Sequence, residues 1–443
     1  MSAPKLRKLR KHLSADALLS WLRSGFADMH DHRPGKPDIS LRDVLLSAFA
    51  LFSLKSPSLL AFDKDRTEGN LQQVYGIERV PCDTAMREIL DPLEPEFLRP
   101  LFKSGFGALQ RGKALEDMVF VQGHYLLALD GTGYFSSQQI HCESCLETHH
   151  RNGTVTYRHQ MLAGALVHPD RRAGIPLMPE PIIKQDGAAK NDCERNAAKR
   201  FIPKLRQDHP HLKLSVTEDS LSSNAPHIDV LHAHHLHYIL GVKEGDHAYL
   251  LAQVAAAERA GRVTSYDRHD ETTGLRHRFR FVRDVPLNES HADLRVNFLE
   301  GWEWEPDSDP VQHFSWVTDL CVNKGTVYQL RRGGRARWRI ENETFNTLKN
   351  QGYQFEHNFG QGYQHLSVVF AVLMMLAFLV DQIQQLCCPL FQAVWAKMGS
   401  KRRLWEQMRA LFYDYALESM QHLFEARFYG WKKSAPVLDV DSS

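Results

Sequence analysis

Residues 124–137 read HYLLALDGTGYFSS, and the fold turns on how this stretch is interpreted. A short apolar run, Leu126 to Leu129, is ended by Asp130-Gly131. Such a run bounded by turn residues reads as a buried strand, with the Asp130 carboxylate projecting where the backbone turns away. Further along, 157–183 (YRHQMLAGALVHPDRRAGIPLMPEPII) reads as two strands joined at PDRRAG. Residues 191–206 (NDCERNAAKRFIPKLR) form a helix capped by Asn191 or Asp192, and 212–221 (LKLSVTEDSL) return to strand. Residues 225–236 are helical and 237–243 (HYILGVK) are a further strand. The order β-β-β-α-β-α-β predicts an α/β fold: a mixed sheet with helices on both faces.

Around this centre, residues 1–115 have helical periodicity, as in DALLSWLRSGF (16–26) and LRDVLLSAFALFSL (41–54), with breaks at Pro81, Pro92 and Pro95. Asp83 or Thr84 is the expected cap of the helix that follows Pro81. These helices either dock on DNA or cover the next domain. Residues 245–312 hold strand-like runs such as HRFRFVRDV and LRVNFLEGWEW and are expected to be an inserted β-rich module. The α/β pattern then resumes over 313–385, and 386–443 are helical. The central domain is therefore expected over 120–244 and 313–385.

The 443 residues carry 54 Lys+Arg against 53 Asp+Glu, a formal charge of +1, with 43% hydrophobic residues, which excludes a disordered or fibrous chain. The charge is unevenly placed: Lys5, Arg7, Lys8, Arg10 and Lys11 crowd the start, and Arg331, Arg332, Arg335, Arg337 and Arg339 fall within nine residues. Seven dispersed cysteines do not form the framework of a small secreted protein, so a reducing cytoplasm is expected. The apolar run 366–380 stops at Asp381, short of the roughly 20 residues that span a bilayer, and is expected to be a core helix.

A second aspartate, Asp219, also ends a strand and is followed by small polar residues, SLSSNAP. A carboxylate comes from a third element: 335–349 (RARWRIENETFNTLK) reads as a helix that places Glu341 and Lys349 on one side, with Glu343 about 200° away. Arg337 lies one turn before Glu341, giving a carboxylate between cations that suits a metal beside a phosphate. Salt bridges within the fold are the alternative role for the basic residues.

These residues together resemble the DDE transposases of bacterial insertion sequences, in the branch with a β-rich insertion between the second Asp and the Glu. The resemblance covers about residues 120–385. That branch carries a Tyr-x2-Arg-x3-Glu-x6-Lys signature; Arg337 and Glu341 match, Gly334 stands at the Tyr position, and Lys349 comes one residue late. The resemblance implies a ribonuclease H-like catalytic domain that cuts double-stranded DNA at transposon ends and joins it to a target. It also implies Asp130, Asp219 and Glu341 as ligands of two Mg²⁺ (or Mn²⁺) ions, and a homodimer on DNA at the bacterial nucleoid. Arg335, Arg337, Arg339 and Lys349 would contact phosphate. A repurposed DNA-binding protein and a stand-alone nuclease are the alternatives.

Separately, Cys142, Cys145, His149 and His150 form C-x2-C-x3-H-H, a spacing that suits a structural zinc, with Cys193 as a further candidate ligand. A loop with free thiols and surface histidines is the alternative.

Overall fold

The computed structural model describes residues 11–67, 69–184, 191–271, 273–304 and 312–430. The basic residues Lys5, Arg7, Lys8 and Arg10 lie outside these, as does the side chain of Lys11. The chain divides into two compact units, 115–347 and the pair of segments 1–114 and 348–443. Residues 348–385 thus group with the terminal helices and not with the strands beside which the sequence placed them.

The helical unit opens with α1 (Ala15–Ala27), α2 (Leu41–Ser53), α3 (Leu59–Lys64), α4 (Gly69–Tyr75), α5 (Asp83–Leu90) and α6 (Arg99–Arg111). Ser14, Ser40 and Ser58 cap the first three by accepting from a backbone N–H three residues on. Helix α5 begins after Pro81 and ends before Pro92, but Cys82 holds its cap position, and Asp83 is its first residue.

In the other unit, α7 (Glu194–Asp208), α8 (Ala225–Ala233), α9 (Ala248–Arg259) and α10 (Val327–Arg335) accompany eleven strands. Helix α11 (Asn346–Asn350) follows at the boundary, and α12 (Leu366–Cys387), α13 (Pro389–Met398), α14 (Lys401–Asp414) and α15 (Met420–Tyr429) complete the helical unit.

Three side chains from early helices explain why those last helices belong with the first ones. The Asp91 carboxylate accepts from the backbone N–H of Tyr363, Gln364 and Leu366 at the start of α12, at 2.8–3.1 Å. Asp16 does the same for Met420 and Gln421 at the start of α15. Asn70 donates to the carbonyls of Phe412 and Tyr415 and accepts from Leu417. Each satisfies backbone groups that a helix end leaves orphaned. Helix α12 is 22 residues long with a mean hydropathy of 2.3 in its most apolar window, and Leu366–Gln384 are all buried within the unit. It is a core helix, as its interruption by Asp381 suggested.

The strands are β1 (Tyr125–Ser137), β2 (Leu146–His149), β3 (Val155–His168), β4 (Arg171–Pro176), β5 (Glu180–Ile182), β6 (Leu214–Glu218), β7 (His237–Val242), β8 (Thr264–His269), β9 (Arg276–Asn288), β10 (His291–Trp304) and β11 (Gln312–Thr318). They form one sheet in the order β2-β3-β1-β6-β7-β11-β10-β9-β8, with β4 and β5 also pairing β3. Strands β1, β6 and β7 are mutually parallel and the other pairings are antiparallel. The sheet is mixed and flanked by helices, as expected. All five residues of β6 are buried, which fits a strand covered on both faces.

Two departures from the sequence reading matter for the site. Strand β1 does not end at Asp130-Gly131 but continues to Ser137, because β3 stays hydrogen-bonded alongside it, with an irregularity between Gly133 and Phe135. Residues 245–312 begin with a helix, α9, and their strands β8, β9 and β10 are hydrogen-bonded into the same sheet beyond β11. Alternating patterning shows that a segment is a strand; it does not tell which sheet edge it joins.

Candidate active site

Backbone pairing places the two aspartates. Strands β1 and β6 run parallel in the register Tyr125↔Leu214 to Ala128↔Thr217. Carrying that register two residues further sets Asp130 level with Asp219. Neighbouring strands lie about 4.8 Å apart, and level residues point to the same face. The pairing itself ends at Ala128↔Thr217, and Asp219, just past β6, caps a short 3₁₀ turn, its Oδ1 accepting from Leu221 N at 3.0 Å. The carboxylates therefore sit at the C-terminal end of β6, where adjacent parallel strands commonly open a ligand crevice.

Asp130 and Asp219 line a cleft of ≈ 280 Å³ with Gln160, Cys193, Glu194, Glu218 and His227 among its walls. Glu194, in the first turn of α7, approaches so closely that a Cβ on Gly131 would run into its Oε1. Burial, with Asp219 and Glu218 nearby, pushes the Glu194 carboxyl above its usual range. Glu218 is engaged by the buried His227 ring, whose pKa is raised: burial opposes the charge, but the carboxylate outweighs it.

Glu341 reaches Asp130 through a shared cation. Arg337 Nη1 donates to Asp130 Oδ2 at 3.0 Å and to Glu341 Oε1 at 2.6 Å. Burial pushes the Asp130 carboxyl up to about 7; Arg337 works against this, while Glu341 and Glu194 add to it. Two to three carboxylates facing one another in a partly desolvated site cannot all ionise without a counter-charge. Among the described residues, the oxygens of Asp130, Asp219 and Glu341 do not all fall within 4.8 Å of one another. A pair of ions roughly 3.5–4 Å apart does not require that they should, since each ion takes its own subset of ligands. Asp130, Asp219 and Glu341 are half-buried and offer the oxygen donors that a hard divalent cation takes.

The basic residues are committed inside the fold. Arg339 pairs with Glu343 and donates to the Pro169 carbonyl. Arg335 stacks on Phe314, 4.1 Å from the ring centroid. Arg331 and Arg332 pair with Glu303 and Asp170. Lys349 belongs to the helical unit, where it pairs with Glu356 at 2.9 Å. Between Glu341 and Lys349 the backbone is not a plain α-helix, as Ile340–Phe345 are π-helical.

The cysteine motif closes with a different histidine. His149 pairs with Glu147 and His150 bonds Thr156, both on the surface. The two thiols instead face His159 in β3, with Nε2 3.2 Å from Cys142 Sγ and 3.3 Å from Cys145 Sγ. Cys193, and not Asn191 or Asp192, holds the N-cap position of α7, without a side-chain hydrogen bond, on the wall of the carboxylate cleft. His159 was not singled out from sequence because it lies fourteen residues past Cys145, inside an apolar strand. Glu194 was hidden in a run that reads simply as the charged start of a helix. No family model matches the chain, and no curated protein sequence matches it either.

Proposed function

We propose that the chain is a DDE-type DNA transposase, cleaving transposon ends and joining them to target DNA, with Asp130, Asp219 and Glu341 as its metal-binding carboxylates. The observation that carries this reading is that Asp130 and Asp219 line one cleft while Glu341 adjoins Asp130. Two come from neighbouring parallel strands, and the third is tied to Asp130 by Arg337. The antiparallel strands β1, β3 and β4, followed by α7-β6-α8-β7, support a ribonuclease H-like domain as the scaffold.

Two features account for the departures from the family signature. The Trp316 indole occupies the space a side chain on Gly334 would need, so a tyrosine has no room there. A π-helical turn takes up one residue more than an α-helical one, and Lys349 comes one residue later than the signature requires.

When bound, two Mg²⁺ or Mn²⁺ ions supply activation of the attacking oxygen and stabilisation of the leaving oxygen at phosphorus. The chain's own residues prepare that site. On cation binding Asp130 would release to solvent the proton its burial retains, and Glu194, which lines the same cleft, would add a fourth carboxylate. Arg337, once released from Asp130, turns its planar fork to a phosphate oxygen. The N-terminal helices and a second copy of the chain serve to grip two DNA ends.

The test is the DNA that borders the coding region. Short inverted repeats there, used as linear substrates with Mg²⁺, should be nicked at their ends by the purified chain. Binding to them should fall steeply with salt as condensed counterions are released. Failure to cut any such end, with binding indifferent to salt, contradicts the proposal.

A further inference from the structure

A cluster of two thiols and one imidazole, Cys142, Cys145 and His159, lies outside the carboxylate cleft. Cys142 Sγ and Cys145 Sγ are 3.6 Å apart, and His159 Nε2 stands 3.2 and 3.3 Å from them. Zinc–sulfur bonds near 2.3 Å and zinc–nitrogen bonds near 2.0 Å in a tetrahedron set sulfurs roughly 3.8 Å apart and sulfur from nitrogen roughly 3.5 Å. The three atoms therefore outline one face of a zinc tetrahedron to within a few tenths of an ångström.

Hydrogen bonding alone does not explain the triangle. An imidazole Nε2 either donates one proton or accepts one, so it does not bond both sulfurs at once, although both stand within 3.3 Å of it. A metal at the centre satisfies all three donors together. The backbone is arranged for the same end, with Cys142 N donating to Cys145 Sγ at 3.3 Å, as a thiolate ligand requires for charge relief. Strand register brings the partners together: β2 pairs β3 as Leu146↔Arg158, and one step outward sets Cys145 opposite His159.

The surroundings also call for a staple. Across residues 138–154, only Cys145 and Leu146 are buried, and β2 alone pairs with β3. An apolar core of two residues gives a seventeen-residue excursion little else to hold it, and segments of that kind are commonly ordered by a metal. Cys145 and His159 are each 1% exposed, so the centre has a dry side on which to form.

We propose that Cys142, Cys145 and His159 bind one zinc ion that fastens the 138–154 excursion to β3. Three protein donors leave one corner of the tetrahedron for water or another exogenous donor. The consequence reaches the cleft, because Gln160, next to His159, lines it. Glu147, four residues after Glu143 in the same excursion, is bonded to Lys184 and Asn191 on either side of the segment that leads into α7 and Glu194.

The experiment is metal analysis of the full-length chain purified under reducing conditions, a measurement independent of any action on DNA. The expected result is about one zinc per chain. It should be lost in Cys142→Ser, a half-exposed position that tolerates the change, and in His159→Ala, and kept in a chain carrying both His149→Ala and His150→Ala. Chelation should expose the 138–154 segment to protease, and added zinc should restore protection. Cobalt in place of zinc should show thiolate-to-cobalt charge transfer. The proposal is overturned by a wild-type chain that takes up no zinc on reconstitution, by a Cys142–Cys145 disulfide in its place, or by zinc that leaves with His149 and His150.

Discussion

The guanidinium of Arg337 lies 3.0 Å from Asp130 across the sheet–helix boundary and holds Glu341 with the same nitrogen. In the absence of a bound metal, it is the counter-charge for two carboxylates that would otherwise repel. Arg337→Gln should therefore destabilise the metal-free protein by about 2 kcal/mol, since a partly buried charge pair loses one partner. Added Mg²⁺ should recover most of that loss. Urea unfolding with and without Mg²⁺ checks this, and an equal loss in both conditions contradicts it.

Asp130 makes the metal-free protein sensitive to pH with a definite sign. Its folded pKa, about 7, lies above the ordinary value of 3.8, so the folded state holds a proton that the unfolded state releases between the two. The contribution to stability is complete below pH 3.8 and is lost as pH rises through 7, a change on the order of 4 kcal/mol. Unfolding in EDTA at pH 5 and pH 8 should show the loss. Asp130→Asn should flatten it, whereas Glu194 and His227, also raised, shift in the same direction and remain. An unchanged slope in Asp130→Asn removes Asp130 as the cause.

The two glutamates of the π-helical segment should separate cleanly. Glu341 is tied to Arg337, and Glu343 to Arg339. Glu341→Gln should lower Mg²⁺-dependent cleavage at least about a hundredfold, the several kcal/mol a metal ligand supports, and Glu343→Gln should stay within about threefold of wild type. Cleavage rates at saturating Mg²⁺ decide it; the reverse order would move the catalytic carboxylate to Glu343.

Within the helical unit, Lys55 is fully buried and paired with Asp381, which also accepts from Tyr353. The Lys55 ammonium lies 4.0 Å from the Trp405 ring centroid and 4.4 Å from that of Tyr353. Lys55→Met leaves an uncompensated carboxylate in the core and should cost about 3–5 kcal/mol, while Lys55→Met with Asp381→Leu should recover most of it. Equal losses in the single and double variants would show that packing, not charge, dominates.

Much of the sheet was legible because its strands are apolar runs bounded by turn residues, and the aspartates were legible because each stands where such a run meets Gly or Ser. What was hidden is what depends on pairing. The extension of β1 past Gly131 is held by β3 rather than by its own residues. Helix α12 joins the first helices through Asp91, a contact across 275 residues that no local pattern encodes. His159 is joined to the cysteines by strand register, while the adjacent His149 and His150, favoured by spacing, face solvent. Sequence left the arginine cluster open between phosphate contact and salt bridges within the fold; Glu303, Asp170 and Asp130 from other strands and loops, and Glu343 one turn on, pair with most of it.

The most direct test of the central claim is single-turnover cleavage of end DNA by wild type and Asp219→Ala, each at a concentration that saturates binding. Among the described residues, Asp219 makes no hydrogen bond to Arg337, Cys142, Cys145 or His159; its one side-chain bond caps the turn at Leu221, so equal DNA binding by the variant shows that the turn has kept its place. The account predicts that Asp219→Ala binds the DNA as wild type does and does not cut it in Mg²⁺. A variant that cuts at the wild-type rate would contradict it.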